Sequence, residues 1–110
     1  MSERPLFQPG EAGVIDLTAE TQFAPNGIVS RTIFTGGSSR LVLFGFDAGQ
    51  ELTEHTSPHH ALVQILSGRC EFTLAGKPRE LKAGDLLYMP PGLPHAVKAL
   101  ERFSMLLTLA

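Results

Sequence analysis

Histidine is the residue type in this chain with the clearest chemical use. The chain carries four, and they are His55, His59, His60 and His95. His55 and His95 belong to two separate glycine-punctuated stretches, residues 49–68 and 84–95. Imidazoles delivered by two different β segments can converge on one metal ion. We therefore predict a site for a divalent first-row transition metal, and nitrogen ligands alone do not choose among Zn, Ni, Fe, Mn and Cu.

A third ligand would come from His59 or His60. In a straight strand each residue advances about 3.3 Å, so the Cα atoms of His55 and His59 would be roughly 13 Å apart, too far to share one ion. A bend is required, and the proline in residues 56–58 allows one. Side chains alternate faces along a strand. Counting back along the following strand places His59 on the face of Ala61, which is predicted to point inward, and His60 on the opposite face with Leu62. This favours His59 slightly as the third ligand.

Each histidine also has a simpler structural interpretation. His59 and His60 could both be solvated turn residues. His55 and His95 could form a neutral hydrogen-bonded pair inside a metal-free barrel. Glu54 precedes His55 directly, and a solvent-facing charge is its simplest interpretation, so we assign it no role.

The length and composition indicate one globular domain without a polyanionic partner. The chain has 110 residues, of which 43% are hydrophobic and 18% charged, and its formal net charge is −2. No stripe of Lys or Arg supports binding to nucleic acid or to an anionic membrane. The first residues lack the apolar segment of a signal peptide, so we expect a cytoplasmic location. The single cysteine, Cys70, cannot form an internal disulfide and is predicted to be a small buried hydrophobe.

The hydrophobic pattern predicts short strands and almost no helix. Glycine and proline recur too often for ordinary helices, and no window carries a helical apolar stripe. The predicted strands are apolar, β-branched or aromatic, and they are Ile28–Phe34, Leu41–Phe46, Ala61–Leu66, Cys70–Leu74, Arg79–Leu81, Asp85–Met89 and Phe103–Leu109. Residues 75–78 have the composition of a tight hairpin turn. Many short strands at this spacing favour a sandwich or a barrel.

The two glycine stretches together resemble the paired motifs of the cupins. The matching positions are Gly49-x5-His55 with Gly68, and Gly84-x5-Pro90-x-Gly92-x2-His95. The resemblance covers roughly residues 41–109 and implies an all-β fold, a double-stranded β-helix or jelly-roll barrel, in a small single-domain cupin. It implies the family's metal site only in part. The second histidine and the carboxylate of the first motif are replaced by Ser57 and Ala61, and the final asparagine by Ala99.

The resemblance also suggests an organisation for the whole chain. We expect residues 1–35 to form an N-terminal arm and the first strands, and residues 36–110 to form the cupin barrel core, within one domain overall. Cupins commonly dimerise through one sheet. We therefore predict a homodimer, with Gly27–Phe34 as a candidate contact region.

Two functions remain open from the sequence. The first is a small metal-binding cupin, a dioxygenase or an isomerase acting on a small organic molecule, with metal ligands among His55, His59, His60 and His95. The alternative is a non-catalytic small-molecule-binding cupin with a degenerate metal site. Small β-barrels of this class often leave a ligand cavity at one mouth, which suits either function.

Overall fold

The computed structural model describes residues 4–110 and contains nine strands and one short helix. In chain order the elements are α1 (Leu17–Glu20), β1 (Ile28–Gly36), β2 (Ser39–Phe46), β3 (Glu51–His55), β4 (Ala61–Ser67), β5 (Arg69–Leu74), β6 (Lys77–Lys82), β7 (Leu86–Met89), β8 (His95–Ala99) and β9 (Phe103–Leu109). The prediction of an all-β chain with almost no helix is confirmed. The strands predicted with bounds did not include β3 and β8, which were expected only as the β segments that carry His55 and His95.

The strands form two antiparallel sheets. One sheet has the order β1-β2-β9-β4-β7, and the other has the order β3-β8-β5-β6. Alternate residues of both sheets point into a shared apolar core. Its largest fully buried side chains are Phe46, Phe72, Phe103, Ile65, Val63 and Cys70. The inward position of Cys70 confirms that it serves as a small buried hydrophobe.

The predicted hairpin turn joins β5 to β6. The register pairs Leu74 with Lys77, so that Ala75 and Gly76 alone form the loop. Both loop residues have positive φ, 49° and 82° respectively. Two consecutive positive φ values are required by the type I′ turn, whose twist matches that of the flanking strands.

Gly68, which closes the first glycine stretch, is required by close packing. It lies between β4 and β5 with φ +74°, a conformation that L side chains rarely adopt. A Cβ atom at this position would also collide with the carbonyl oxygen of Arg102 and approach Phe103. The glycine therefore permits the turn and the close approach of the segment that leads into β9.

The N-terminal arm lies along the first strand. The backbone N–H groups of Leu6 and Phe7 donate to the carbonyls of Thr32 and Ile33, at 3.1 Å and 2.8 Å. These bonds partly cover the edge of β1, within the region that the sequence predicts as a dimer contact. β1 itself extends to Gly36, past the predicted boundary between residues 35 and 36. Within residues 4–110, no helix has the length and apolar character needed to cross a membrane.

Candidate functional site

His55 and His95 face each other across adjacent strands. They are register partners between β3 and β8, and their ring centroids lie 4.2 Å apart with the planes tilted by 59°. His95 is only 8% exposed, whereas His55, on the same face of the sheet, is exposed. The two imidazoles therefore form a pair at a mouth of the barrel, one ring embedded in the protein and the other accessible.

A β-bulge turns His55 toward its partner. Leu52 pairs with Val97 and packs against the core, and the next pairing that follows is His55 with His95. Three residue steps on β3 thus match two on β8, so one extra residue is accommodated at positions 53–54. Strict alternation from Leu52 would point His55 outward. The bulge restores its inward direction, which is a common use of bulges beside functional sites.

Each ring of the pair is oriented by a backbone carbonyl two residues earlier. Nδ1 of His55 lies 2.8 Å from the carbonyl oxygen of Thr53, and Nδ1 of His95 lies 2.8 Å from that of Leu93. A carbonyl can only accept, so each Nδ1 carries the hydrogen and donates it. In the neutral form, each ring is then left with Nε2 as an acceptor. Both histidines present the same chemical atom for binding.

His60 contacts a different part of the molecule. Its Nδ1 lies 2.8 Å from the hydroxyl of Tyr88, and the two rings stack with centroids 6.0 Å apart. Tyr88 is the register partner of Leu62, and both are exposed on the outer face of the five-stranded sheet. The imidazole of His60 therefore lies on the outer face, whereas His55 and His95 face inward. Tyr88 was not identified from the sequence as its partner.

His59 lies in an exposed segment that is tied to the second glycine stretch. Its backbone N–H donates to the hydroxyl of Ser57 at 3.2 Å. The carbonyl of Ser57 accepts from the backbone N–H of Gly92 at 2.8 Å. Ser57, which occupies the position of a cupin metal ligand, thus helps to hold the segment that carries His59 against the loop that leads to His95.

The arrangement supplies two of the nitrogen donors that a metal site requires. Across residues 4–110, no three or more His, Cys, Asp or Glu side chains come together in a way suited to a metal ion. The residues present therefore fit a protein metal site only in part. The sequence-based assignment of metal ligands among His55, His59, His60 and His95 stays a prediction.

The fold and the paired glycine stretches have a clear family counterpart. The family model described as a cupin domain matches residues 42–108, more than half of the chain. The protein belongs to this cupin family, and the predicted jelly-roll fold is confirmed.

The chain is similar to three proteins from other organisms, over different shares of their length. The dimethylsulfoniopropionate lyase DddQ of Ruegeria pomeroyi is 38% identical over 63 residues, which cover 56% of this chain and 31% of the lyase. A conserved protein of unknown function from Streptococcus pyogenes, SPY1581, is 36% identical with a TM-score of 0.85, over 100% of this chain and 95% of that one. A cupin 2 conserved barrel domain protein from Leptotrichia buccalis is 31% identical with a TM-score of 0.83, over 87% of this chain and 47% of that one. The match spans less than a third of the lyase.

Proposed function

We propose that this cupin binds a small organic molecule at the His55–His95 pair. The observation that carries the proposal is the matched pair of contacts from Nδ1 to the carbonyls of Thr53 and Leu93. Two rings oriented in the same way leave two Nε2 acceptors at one barrel mouth. A ligand with an O–H or N–H group can donate to either atom.

The different burial of the two rings suits a binding site. His95 is largely buried, and a hydrogen bond to a ligand is stronger in the protein interior than it is in water. His55 is exposed, which leaves a route for the ligand. A neutral imidazole can also accept a proton and return it, so the chemistry that the pair offers is proton transfer.

The comparisons support the size class of the ligand. The relative from Ruegeria pomeroyi is named as a lyase for dimethylsulfoniopropionate, a small organic molecule. Proton removal is a step that lyase and isomerase reactions share. We infer that, if the pair is catalytic, one Nε2 acts as the proton acceptor in a reaction of this kind.

A divalent first-row transition metal ion is the second candidate for this site. The observation that favours it is the bond from each Nδ1 to a carbonyl, because metal-binding histidines commonly donate the N–H of their other ring nitrogen to a carbonyl or a carboxylate. His55 and His95 would be two of its ligands. His59 is the candidate for a third, because the imidazole of His60 is bonded to Tyr88. Two imidazoles alone should hold such an ion loosely, so a chelator should remove it.

The predicted homodimer remains a proposal. The edge of β1 receives hydrogen bonds from Leu6 and Phe7, which leaves less of it for a second copy. In contrast, Leu86 and Tyr88 on the outer face are 69% and 52% exposed. Light scattering tests the proposal directly, because the chain alone has a mass of 11.9 kDa and a dimer would have twice that mass.

The proposed binding function can be tested by a ligand screen in the presence of EDTA. A collection of small organic acids, amides and alcohols is added to the wild-type protein, and compounds that raise the melting temperature are retained. We expect His55→Gln and His95→Gln to lose most of this stabilisation, and His60→Gln to keep it. Equal stabilisation of all three variants, or no stabilising compound in the collection, would contradict the proposal.

A further inference from the structure

An exposed arginine on an edge strand lies opposite a core residue. Arg79 in β6 is the register partner of Phe72, a side chain that is only 2% exposed in the core. Residues directly opposite each other in an antiparallel pair point to the same face. Arg79 therefore shares its face with Leu81, which is buried two residues later.

The barrel is open on this side and contains a groove there. β6 is the last strand of one sheet and β7 is the last strand of the other. Between them lies a groove of about 580 Å³. Its lining includes Leu74, Arg79, Glu80, Lys82, Asp85 and Leu87.

Most charges in this groove already have partners. Lys82 and Asp85 contact each other through the side chains at 3.4 Å, and Asp85 also accepts from the backbone of Lys82. Glu80 accepts a hydrogen bond from Arg69. Arg79 interacts electrostatically with Asp85 without direct contact, and it forms no hydrogen bond or salt bridge with any residue from 4 to 110. Its guanidinium is the groove's cation with bonding capacity left for a ligand.

One residue that lines the groove is a cross-strand neighbour of the histidine pair. Leu74 lines one end of it and is the register partner of His95. Strand spacing and residue rise place the Cα atoms of Arg79 and His95 roughly 12 Å apart, a distance that the long arginine side chain can shorten. A short organic molecule can span the remaining gap.

We propose that Arg79 binds the carboxylate of a small organic acid whose other end lies at the His55–His95 pair. The inference rests on the proposed function and names the ligand class for the same site. A guanidinium presents a planar fork of N–H donors that matches a carboxylate in two parallel hydrogen bonds. Leu74 and Leu87 would contact the apolar part of the acid between its two polar ends.

A structural role of Arg79 is the competing explanation. Charges that point inward on an edge strand discourage pairing with other chains. This role depends only on charge, whereas carboxylate binding depends also on the geometry of the guanidinium. Arg79→Lys separates the two, because it keeps the charge and loses the paired hydrogen bonds.

The test uses 4-hydroxybutanoate and 6-hydroxyhexanoate as probes, because each has a carboxylate for Arg79 and a hydroxyl that can donate to an Nε2 atom. Their primary amides serve as uncharged analogues, and EDTA is present throughout. Binding is followed by NMR through the imidazole nitrogens of His55 and His95. We expect Arg79→Gln to weaken binding of the acids by about tenfold or more, and Arg79→Lys to weaken it by less. Lys98→Gln removes one exposed positive charge from another part of the same sheet and should leave the affinity unchanged.

Several results would overturn the inference. They are equal affinity of the wild type and Arg79→Gln for both acids, equal affinity for the acids and their amides, and failure of both acids to bind. If uncharged ligands still shift the imidazole resonances of His55 and His95, the proposed function is retained. Conversely, acid binding that depends on Arg79 but leaves both imidazoles unchanged would retain the arginine site and contradict its connection to the pair.

Discussion

The imidazole rings of His55 and His95 lie 4.2 Å apart, and each donates Nδ1–H to the carbonyl two residues before it. The same local geometry thus occurs on two strands that are far apart in sequence. On β3 it depends on the bulge at residues 53–54, and on β8 it depends on the loop that ends at Pro94. Together they give the pair two equivalent Nε2 atoms.

The contributions of His59 and His60 to metal binding should differ. His60 is bonded to Tyr88 on the outer face, so His60→Gln should leave the affinity for added Zn²⁺ unchanged. His59→Gln should weaken it, because His59 is carried by the segment that Ser57 holds beside the pair. Calorimetric titration of both variants measures the difference. A weaker affinity in His60→Gln and a wild-type affinity in His59→Gln would contradict this assignment.

Cys70 should be chemically inert in the folded protein. Burial raises the pKa of its thiol to about 12, with smaller contributions from the negative charges of Asp85 and Glu80. Only the thiolate reacts with disulfide reagents, and it forms only as the pH rises toward that value. We expect negligible labelling by a disulfide reagent near neutral pH and complete labelling after denaturation. Rapid labelling of the native protein would show that the thiol is accessible.

Asp47 should contribute stability that depends on pH. Its carboxylate accepts from the backbone N–H groups of Asn26 and Ala48, at 2.8 Å and 2.9 Å, and these bonds hold its pKa below the usual value of 3.8. A lowered native pKa means that the stabilisation is present above about pH 3.8 and is lost as the pH falls through the native value. Asp47→Asn should therefore lower the melting temperature near neutral pH and have a smaller effect in strong acid.

The control for this measurement is Glu11→Gln, which removes an exposed carboxylate in the N-terminal arm. It should change the melting temperature little at either pH. The same loss of stability in Asp47→Asn at both pH values would contradict a contribution from the charged carboxylate.

Gly68→Ala should destabilise the fold more than Gly76→Ala. Both glycines have positive φ, +74° and +82°, so alanine is strained at either position. A Cβ atom at Gly68 also collides with the carbonyl of Arg102, whereas one at Gly76 has open space around it. We expect the collision to add about 1–3 kcal/mol to the loss in free energy of unfolding, measured by denaturant titration. Equal losses for the two variants would contradict this.

The sequence predicted that His55 and His95 would share a site but not how their rings would be oriented. The spacing of His55 and His95 within the two glycine stretches indicated a shared inward site, and the structure brings the two rings together. The bulge at residues 53–54 has no signal in a single sequence, because Thr53 and Glu54 fit a regular strand equally well. The bond between His60 and Tyr88 joins residues 28 positions apart and depends on the pairing of β4 with β7.

The two strands whose bounds the sequence did not predict are those that carry the pair. β3 (Glu51–His55) is mostly polar, and β8 (His95–Ala99) combines alanine with histidine and lysine. Neither has the β-branched or aromatic composition that marked the other strands. Pairing with neighbours that are already in the sheet stabilises them instead, which is a tertiary effect.

The central claim is that His55 and His95 act together through their Nε2 atoms. Long-range ¹H–¹⁵N NMR of the imidazoles, recorded with EDTA, tests it most directly, because it reports which ring nitrogen carries the hydrogen. We predict the Nδ1–H tautomer for both histidines, and a shift of both Nε2 resonances when a compound from the ligand screen binds. An Nε2–H tautomer at either residue, or ligand binding that moves neither resonance, would contradict the claim.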